Sequence, residues 1–169
     1  MTLDEVNALP LASFVAQLGG VFEHSPWVAE RAFRQRPFAS VDALHGAMMQ
    51  AVTQAKRDEQ LALIRAHPEL AGAEAKDGTL TVDSSSEQSR LGFTRLSRDE
   101  FLRMADLNRR YREKFGFPCI VALRLHATRE SVVAEMSRRV LNDGKTELKK
   151  ALGEIGHIAR GRLAKILEA

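Results

Sequence analysis

An all-α fold is what this sequence predicts, and three observations carry that expectation. Helix start signals recur along the chain, apolar residues follow them at spacings of three and four, and the strand-like runs have no partners of matching quality. With 169 residues, 44% of them hydrophobic and 28% charged, the chain is expected to form one domain over 1–169. That length buries roughly 70% of the unfolded surface, enough for a real core.

The elements follow in order. Thr2 and Glu5 have the spacing of a capping box and open a short helix that Pro10 interrupts. A second helix over Leu11 to Leu18 stops at Gly19-Gly20. Ser25-Pro26-Trp27 sets a cap and then a proline at the first helical position, which predicts a helix from Pro26 to about Gln35. Ser40 caps the next, where Val41, Leu44, Met48 and Val52 share a face. The helix carrying Leu61, Ile64 and Arg65 must end near His67, because Pro68 drives its predecessor out of helical geometry.

No apolar period survives between Ala71 and Val82, and Asp77-Gly78 reads as a turn. Thr79 to Val82 could make a brief strand without a partner. A short helix is expected after Ser84, ending by Gly92. Ser97 and Glu100 form another capping box, opening a helix in which Phe101, Met104, Ala105, Asn108, Tyr111 and Phe115 share a face until Gly116 stops it. Pro118 to Leu123 is expected to be a buried extended segment or a short helix start. Thr128 caps a helix carrying Val132, Val133, Met136 and Val140, and Asn142-Asp143-Gly144 breaks it. The last helix should run from about Lys145 to Leu167.

Composition narrows the function. A single cysteine, Cys119, excludes an internal disulfide and a cysteine-rich zinc site, and fits a reducing compartment. The net charge of +3 is scattered among acids, which argues against nucleic acid and suits a small anionic substrate. No apolar run reaches the roughly 20 residues that span a bilayer. The acidic start, Met1 to Glu5, is unlike a targeting peptide and the ending is no peroxisomal address, so the expectation is a cytoplasmic protein. Phosphate loops, nucleophile elbows, metal-spaced histidine pairs and dinucleotide fingerprints are missing from the sequence.

Three residues stand out for chemistry. His67 ends a helix, where the macrodipole favours imidazolium, and its ordinary pKa lets it move a proton near neutrality. It could equally cap the last carbonyls. Glu87 lies three after Ser84, the spacing of a capping-box glutamate. Beside Ser85, Ser86 and Gln88 it could instead serve a polar or anionic ligand. Arg162 falls on the apolar stripe of Leu148, Leu152, Ile155, Ile158, Ala159 and Ile166, so it needs an internal carboxylate or a bound anion as partner. Cys119 sits in an apolar run with no adjacent base and is no convincing nucleophile. His24, His45, His126 and His157 read as surface or structural groups.

Several ordered motifs carry a family resemblance. They are Phe22-Glu23-His24-Ser25-Pro26-Trp27, Ala66-His67-Pro68-Glu69-Leu70 and Ser84-Ser85-Ser86-Glu87-Gln88, then Asn108 through Pro118 and Glu154 through Leu163. The chain resembles the 2-oxo-4-hydroxy-4-carboxy-5-ureidoimidazoline (OHCU) decarboxylases over about 10–167. The resemblance implies a single all-helical domain, usually homodimeric, with no cofactor and no metal. It implies that His67 and Glu87 are the catalytic pair. Pro68, Ser84, Ser85, Ser86, Gln88, the main chain of Cys119, Ile120, Val121, Ala122 and Leu123, and Arg162 would line the pocket for OHCU. One departure is Cys119, where the family often has a second phenylalanine after Phe117-Pro118, so a changed pocket shape is expected. A hydroxyisourate hydrolase is the expected pathway neighbour. The alternative from another class is a non-catalytic helical binding module, in which His67 and Glu87 are only caps.

Overall fold

The computed structural model describes residues 1–167, and among these the regular elements are all helical. They are α1 (Leu3–Ala8), α2 (Leu11–Leu18), α3 (Trp27–Ala32), α4 (Val41–Thr53), α5 (Arg57–Ala66), α6 (Ala73–Asp77), α7 (Val82–Arg90), α8 (Arg98–Phe115), α9 (Arg129–Arg139) and α10 (Gly144–Ile166). The described residues group into two compact units, one of 1–66 with 156–167 and one of 67–155. No helix among the described residues is long and apolar enough to cross a membrane.

Helix starts follow the caps that the sequence announces. Thr2 and Glu5 complete a reciprocal capping box on α1. The side chains of Ser40, Ser97 and Thr128 accept from the N–H groups of Ala43, Glu100 and Ser131. Each bond satisfies one of the amides that a helix start leaves without an intrahelical partner. Gly116 ends α8 in the left-handed region at φ +74, which a residue without Cβ adopts at little cost.

In the first unit Phe14, Leu18, Phe22, Val28, Leu44, Met48, Val52, Leu63 and Ile64 form a core with Ala159 and Leu163 of α10. The Phe14 and Phe33 rings meet edge to face, 5.3 Å between centroids. His45 Nε2 lies 2.8 Å from the Gly156 carbonyl, so this imidazole ties α4 to α10 and is structural. The second unit packs Met104, Leu107 and Tyr111 of α8 with Phe117, the Cys119–Leu123 run, Val132, Met136, Ala151 and Ile155.

Four expectations are corrected. Thr79 to Val82 is no strand; Thr81 caps α7 and Val82 is its first residue. That helix therefore begins before Ser84 rather than after it, because the Thr81 side chain takes the Ser84 N–H. The segment read as lacking helical period contains α6, a five-residue helix with no buried residue and so no apolar signal to read. It ends at Gly78, left-handed at φ +71. Finally, Ser25 does not cap α3 with its side chain: its hydroxyl donates to the Glu23 carbonyl at 2.9 Å, and the helix passes into a 3-10 turn over Phe33–Gln35.

Candidate active site

Helix α7 carries an unusual buried face. Its buried residues are Ser84 and Gln88, one helical turn apart, with Glu87 on the same stripe and partly exposed. An amphipathic helix normally turns apolar side chains inward. A polar inward face needs hydrogen-bond partners, because an unsatisfied buried group costs about 1–3 kcal/mol.

Gln88 finds its partners across a long sequence gap. Its Oε1 accepts the Ala71 N–H at 3.0 Å and its Nε2 donates to the Glu69 carbonyl at 3.3 Å. Both belong to the turn that follows His67 and Pro68. That turn is tight: Ala71 sits at φ +51, a left-handed conformation that costs a residue with Cβ about 1–2 kcal/mol. At Gly72 a Cβ would lie 2.8 Å from the Glu69 Cβ, so only glycine fits without a shift. Asn108 of α8 donates to the Leu70 carbonyl at 2.8 Å, and Arg112 pairs with the Glu69 carboxylate. The His67 turn is thus fastened to α7 by one amide side chain and to α8 by another.

His67 itself is 6% exposed and its Nε2 is sealed from solvent, whereas Pro68 is partly exposed. Ser85 is half-buried and Ser86 exposed. The reading of Glu87 as a capping-box glutamate falls away, because Thr81 performs the capping and Glu87 lies in the body of α7.

The segment from Cys119 to Ala122 is buried and belongs to no helix or strand, and it leads into a 3-10 helix over Leu123–Leu125. The five residues from Cys119 to Leu123 are 4% exposed or less. Their N–H groups donate to no backbone carbonyl among the described residues. Buried main-chain donors outside secondary structure are what a small anionic ligand recognises. Arg90, at the end of α7, donates to the Leu123 and His126 carbonyls, so α7 touches this segment as it touches the His67 turn. Burial pushes the Cys119 thiol up to about 12, which removes it as a nucleophile.

Beneath the segment lies a buried polar cluster. Arg139 Nη1 donates to the Ile120 carbonyl at 2.5 Å and its Nη2 to Glu147 at 2.9 Å. Tyr111 also donates to Glu147, and Asn142 Nδ2 reaches it at 3.0 Å. Burial raises the Tyr111 phenol far above its ordinary range, reinforced by the neighbouring Cys119 and Glu147. None of this cluster was singled out from sequence. The available signals were Tyr111 on the apolar stripe of α8 and Arg139 seven places after Val132 on α9.

Arg162 lies in the first unit and its partner there is internal. Its Nη1 donates to Glu23 Oε2 at 2.7 Å, and both side chains are 2% exposed. The Phe22 to Trp27 motif builds the turn that presents Glu23, with the Ser25 hydroxyl closing it. His126 Nδ1 lies 2.7 Å from the Ser131 hydroxyl, while His24 and His157 are exposed. Among the described residues no group of three or more His, Cys, Asp or Glu side chains could hold a metal ion.

Comparison with known proteins places this chain in a family. A decarboxylase of Haloferax volcanii named for 2-oxo-4-hydroxy-4-carboxy-5-ureidoimidazoline is 44% identical over 164 residues, covering 97% of this chain and 95% of that protein. The uric acid degradation bifunctional protein of Bacillus sp. (strain TB-90) is 40% identical over 166 residues; the chain covers 32% of its length. In a crystal structure of (S)-allantoin synthase the fold recurs with a TM-score of 0.79 at 29% identity, over 99% of this chain and 55% of that one. The OHCU decarboxylase family pattern matches residues 7–164, and the chain belongs to the OHCU decarboxylase family.

Proposed function

We propose that this chain is a carboxy-lyase that converts OHCU to (S)-allantoin and CO2 in urate breakdown, with His67 and Glu87 as its catalytic pair. The observation that carries the site assignment is the double hydrogen bond of Gln88. It pins the turn after His67 to the helix on which Glu87 is the preceding residue.

Decarboxylation needs an acceptor for the electrons of the breaking C–C bond. OHCU carries its own, a ring C=N beside the carbon that bears the carboxylate and hydroxyl, so no pyridoxal or thiamine cofactor is called for. The main-chain N–H groups of Cys119, Ile120, Val121, Ala122 and Leu123, the Ser84, Ser85 and Gln88 side chains, and Pro68 hold the ring so that the breaking bond lies in line with that π system. Ser86, exposed in the structure, contributes from the rim. Glu87 hydrogen-bonds the ring hydroxyl and ureido N–H groups and helps to take up the hydroxyl proton. His67 orients the carboxylate, and its water-poor setting favours neutral CO2 over the anion.

The enol-like species left by loss of CO2 gains a proton on one face of the carbon bearing the ureido group. A fixed acid there makes a single enantiomer. The family match runs through both units, which supports reading 1–169 as one functional domain. The protein is read as a cytoplasmic homodimer that works beside a hydroxyisourate hydrolase; the bifunctional relative's name supports such pathway coupling.

The test is purified protein added to urate oxidase and hydroxyisourate hydrolase, with optical activity followed in time. Faster appearance of (S)-allantoin is expected. A rate equal to the protein-free reaction would refute the proposal.

A further inference from the structure

The carbonyls at both ends of the Ile120–Leu123 run are held by arginine side chains. At one end Arg139 Nη1 donates to Ile120 at 2.5 Å, and Arg139 is itself fixed by three contacts of 3.2, 3.1 and 2.9 Å to Glu147. At the other end Arg90 donates to Leu123 and, at 3.0 Å, to His126. The Ala122 carbonyl accepts the Leu125 N–H at 3.0 Å. These carbonyls are thereby engaged inside the protein, and the peptide planes between them lose the freedom to turn over. The two clamps differ in setting: Arg139 is 3% exposed, whereas Arg90 ends α7 at the surface.

We propose that Arg90 is a positioning residue for the decarboxylation: by clamping Leu123 and His126 from the helix that carries Glu87, it sets the main chain of Ile120–Leu123 relative to the catalytic carboxylate. The inference rests on the function proposed above. Its chemical basis is that Arg90 lies three residues after Glu87 on α7, less than one helical turn, so any displacement of Leu123 from Arg90 is a displacement from Glu87 as well. A guanidinium on two carbonyls makes charge-assisted hydrogen bonds, stronger than the neutral bonds elsewhere in the turn. It also spans two acceptors at once, which a lysine ammonium does with less geometric definition.

The experiment compares wild type with Arg90→Met and Arg90→Lys. For each, kcat and KM for (S)-allantoin formation, the urea midpoint, and amide hydrogen exchange at 119–126 are measured. Expected for Arg90→Met is a roughly tenfold or larger loss of kcat/KM, the scale of one charge-assisted hydrogen bond. Exchange should quicken at 119–126, with the urea midpoint and exchange in α8 and α9 close to wild type. Arg90→Lys should recover part of both losses, because one carbonyl is still reached. Wild-type kcat/KM in Arg90→Met would overturn the proposal. So would a loss accompanied by uniformly faster exchange throughout the second unit, or no recovery in Arg90→Lys. Should wild type itself fail to form (S)-allantoin, the functional reading is what falls. Unchanged exchange at 119–126 in Arg90→Met would then overturn the clamp as well.

Discussion

Replacing Gln88 with methionine tests the fastening of the His67 turn. The side chains are similar in length, so packing is largely kept while both amide contacts go. The loss has two parts. The Ala71 N–H, bonded at 3.0 Å in a buried setting, is left without its acceptor, and an orphaned buried donor costs about 1–3 kcal/mol. The Glu69 carbonyl loses the weaker 3.3 Å bond but still receives the Gly72 N–H at 3.3 Å, so this part is worth about 0.5–1 kcal/mol. The sum is about 1.5–4 kcal/mol in the urea unfolding free energy, read by far-ultraviolet circular dichroism. Asn108→Leu removes the bond to Leu70 on the same turn, so the double variant should depart from additivity by more than about 0.5 kcal/mol. A Gln88→Met loss below about 0.5 kcal/mol, the range of an ordinary surface change, would refute the anchoring argument.

Breaking the buried pair through Arg162→Met takes the guanidinium away from the Glu23 carboxylate and should cost about 3–5 kcal/mol by urea unfolding; Glu23→Leu in the same background should return much of it. Thr81→Ala removes the cap of α7 and should lower stability by about 1 kcal/mol, whereas Ser84→Ala should show no capping loss in helix content. For Cys119 the sign is fixed by burial. The folded thiol is pushed up to about 12, and the unfolded one titrates near 8.5. Between these values the unfolded chain releases a proton that the folded chain keeps. Stability is therefore fully present below the lower value and falls by up to ~1.4 kcal/mol per pH unit as pH rises toward the upper one. Urea midpoints across that range should show the slope in wild type and lose it in Cys119→Ser. Alkylation of the folded protein at pH 8 should be negligible.

The all-helical fold and most helix boundaries were legible because they rest on local chemistry. Thr2, Ser40, Ser97 and Thr128 each sit three residues before the amide they cap, and Gly116 ends α8 where a left-handed residue is needed. The start of α7 was misread because two cap-competent residues, Thr81 and Ser84, stand one turn apart. Local signals do not choose between them. The helix that forms is the longer one, with the Thr81 side chain accepting the Ser84 N–H. Helix α6 was invisible for want of any buried face.

The site divides in the same way. His67 at a helix end, Glu87 among serines, and Arg162 on an apolar stripe were each readable as oddities of pattern. What each one touches was not. Glu23 is 139 residues from Arg162, and Gln88 reaches Ala71 over 17, distances at which sequence spacing carries no geometric information. The buried cluster of Arg139, Glu147 and Tyr111 was missed although Arg139 follows the same rule that flagged Arg162, a charge on a core-facing helical position.

The assignment of His67 and Glu87 to one catalytic pocket is tested most directly by a crystal structure of the protein with (S)-allantoin bound. The ureido group should lie within hydrogen-bond distance of Glu87, and the carbon that gains the proton should face His67 or Glu87. Allantoin ordered elsewhere, beyond hydrogen-bond reach of both side chains, would contradict the account.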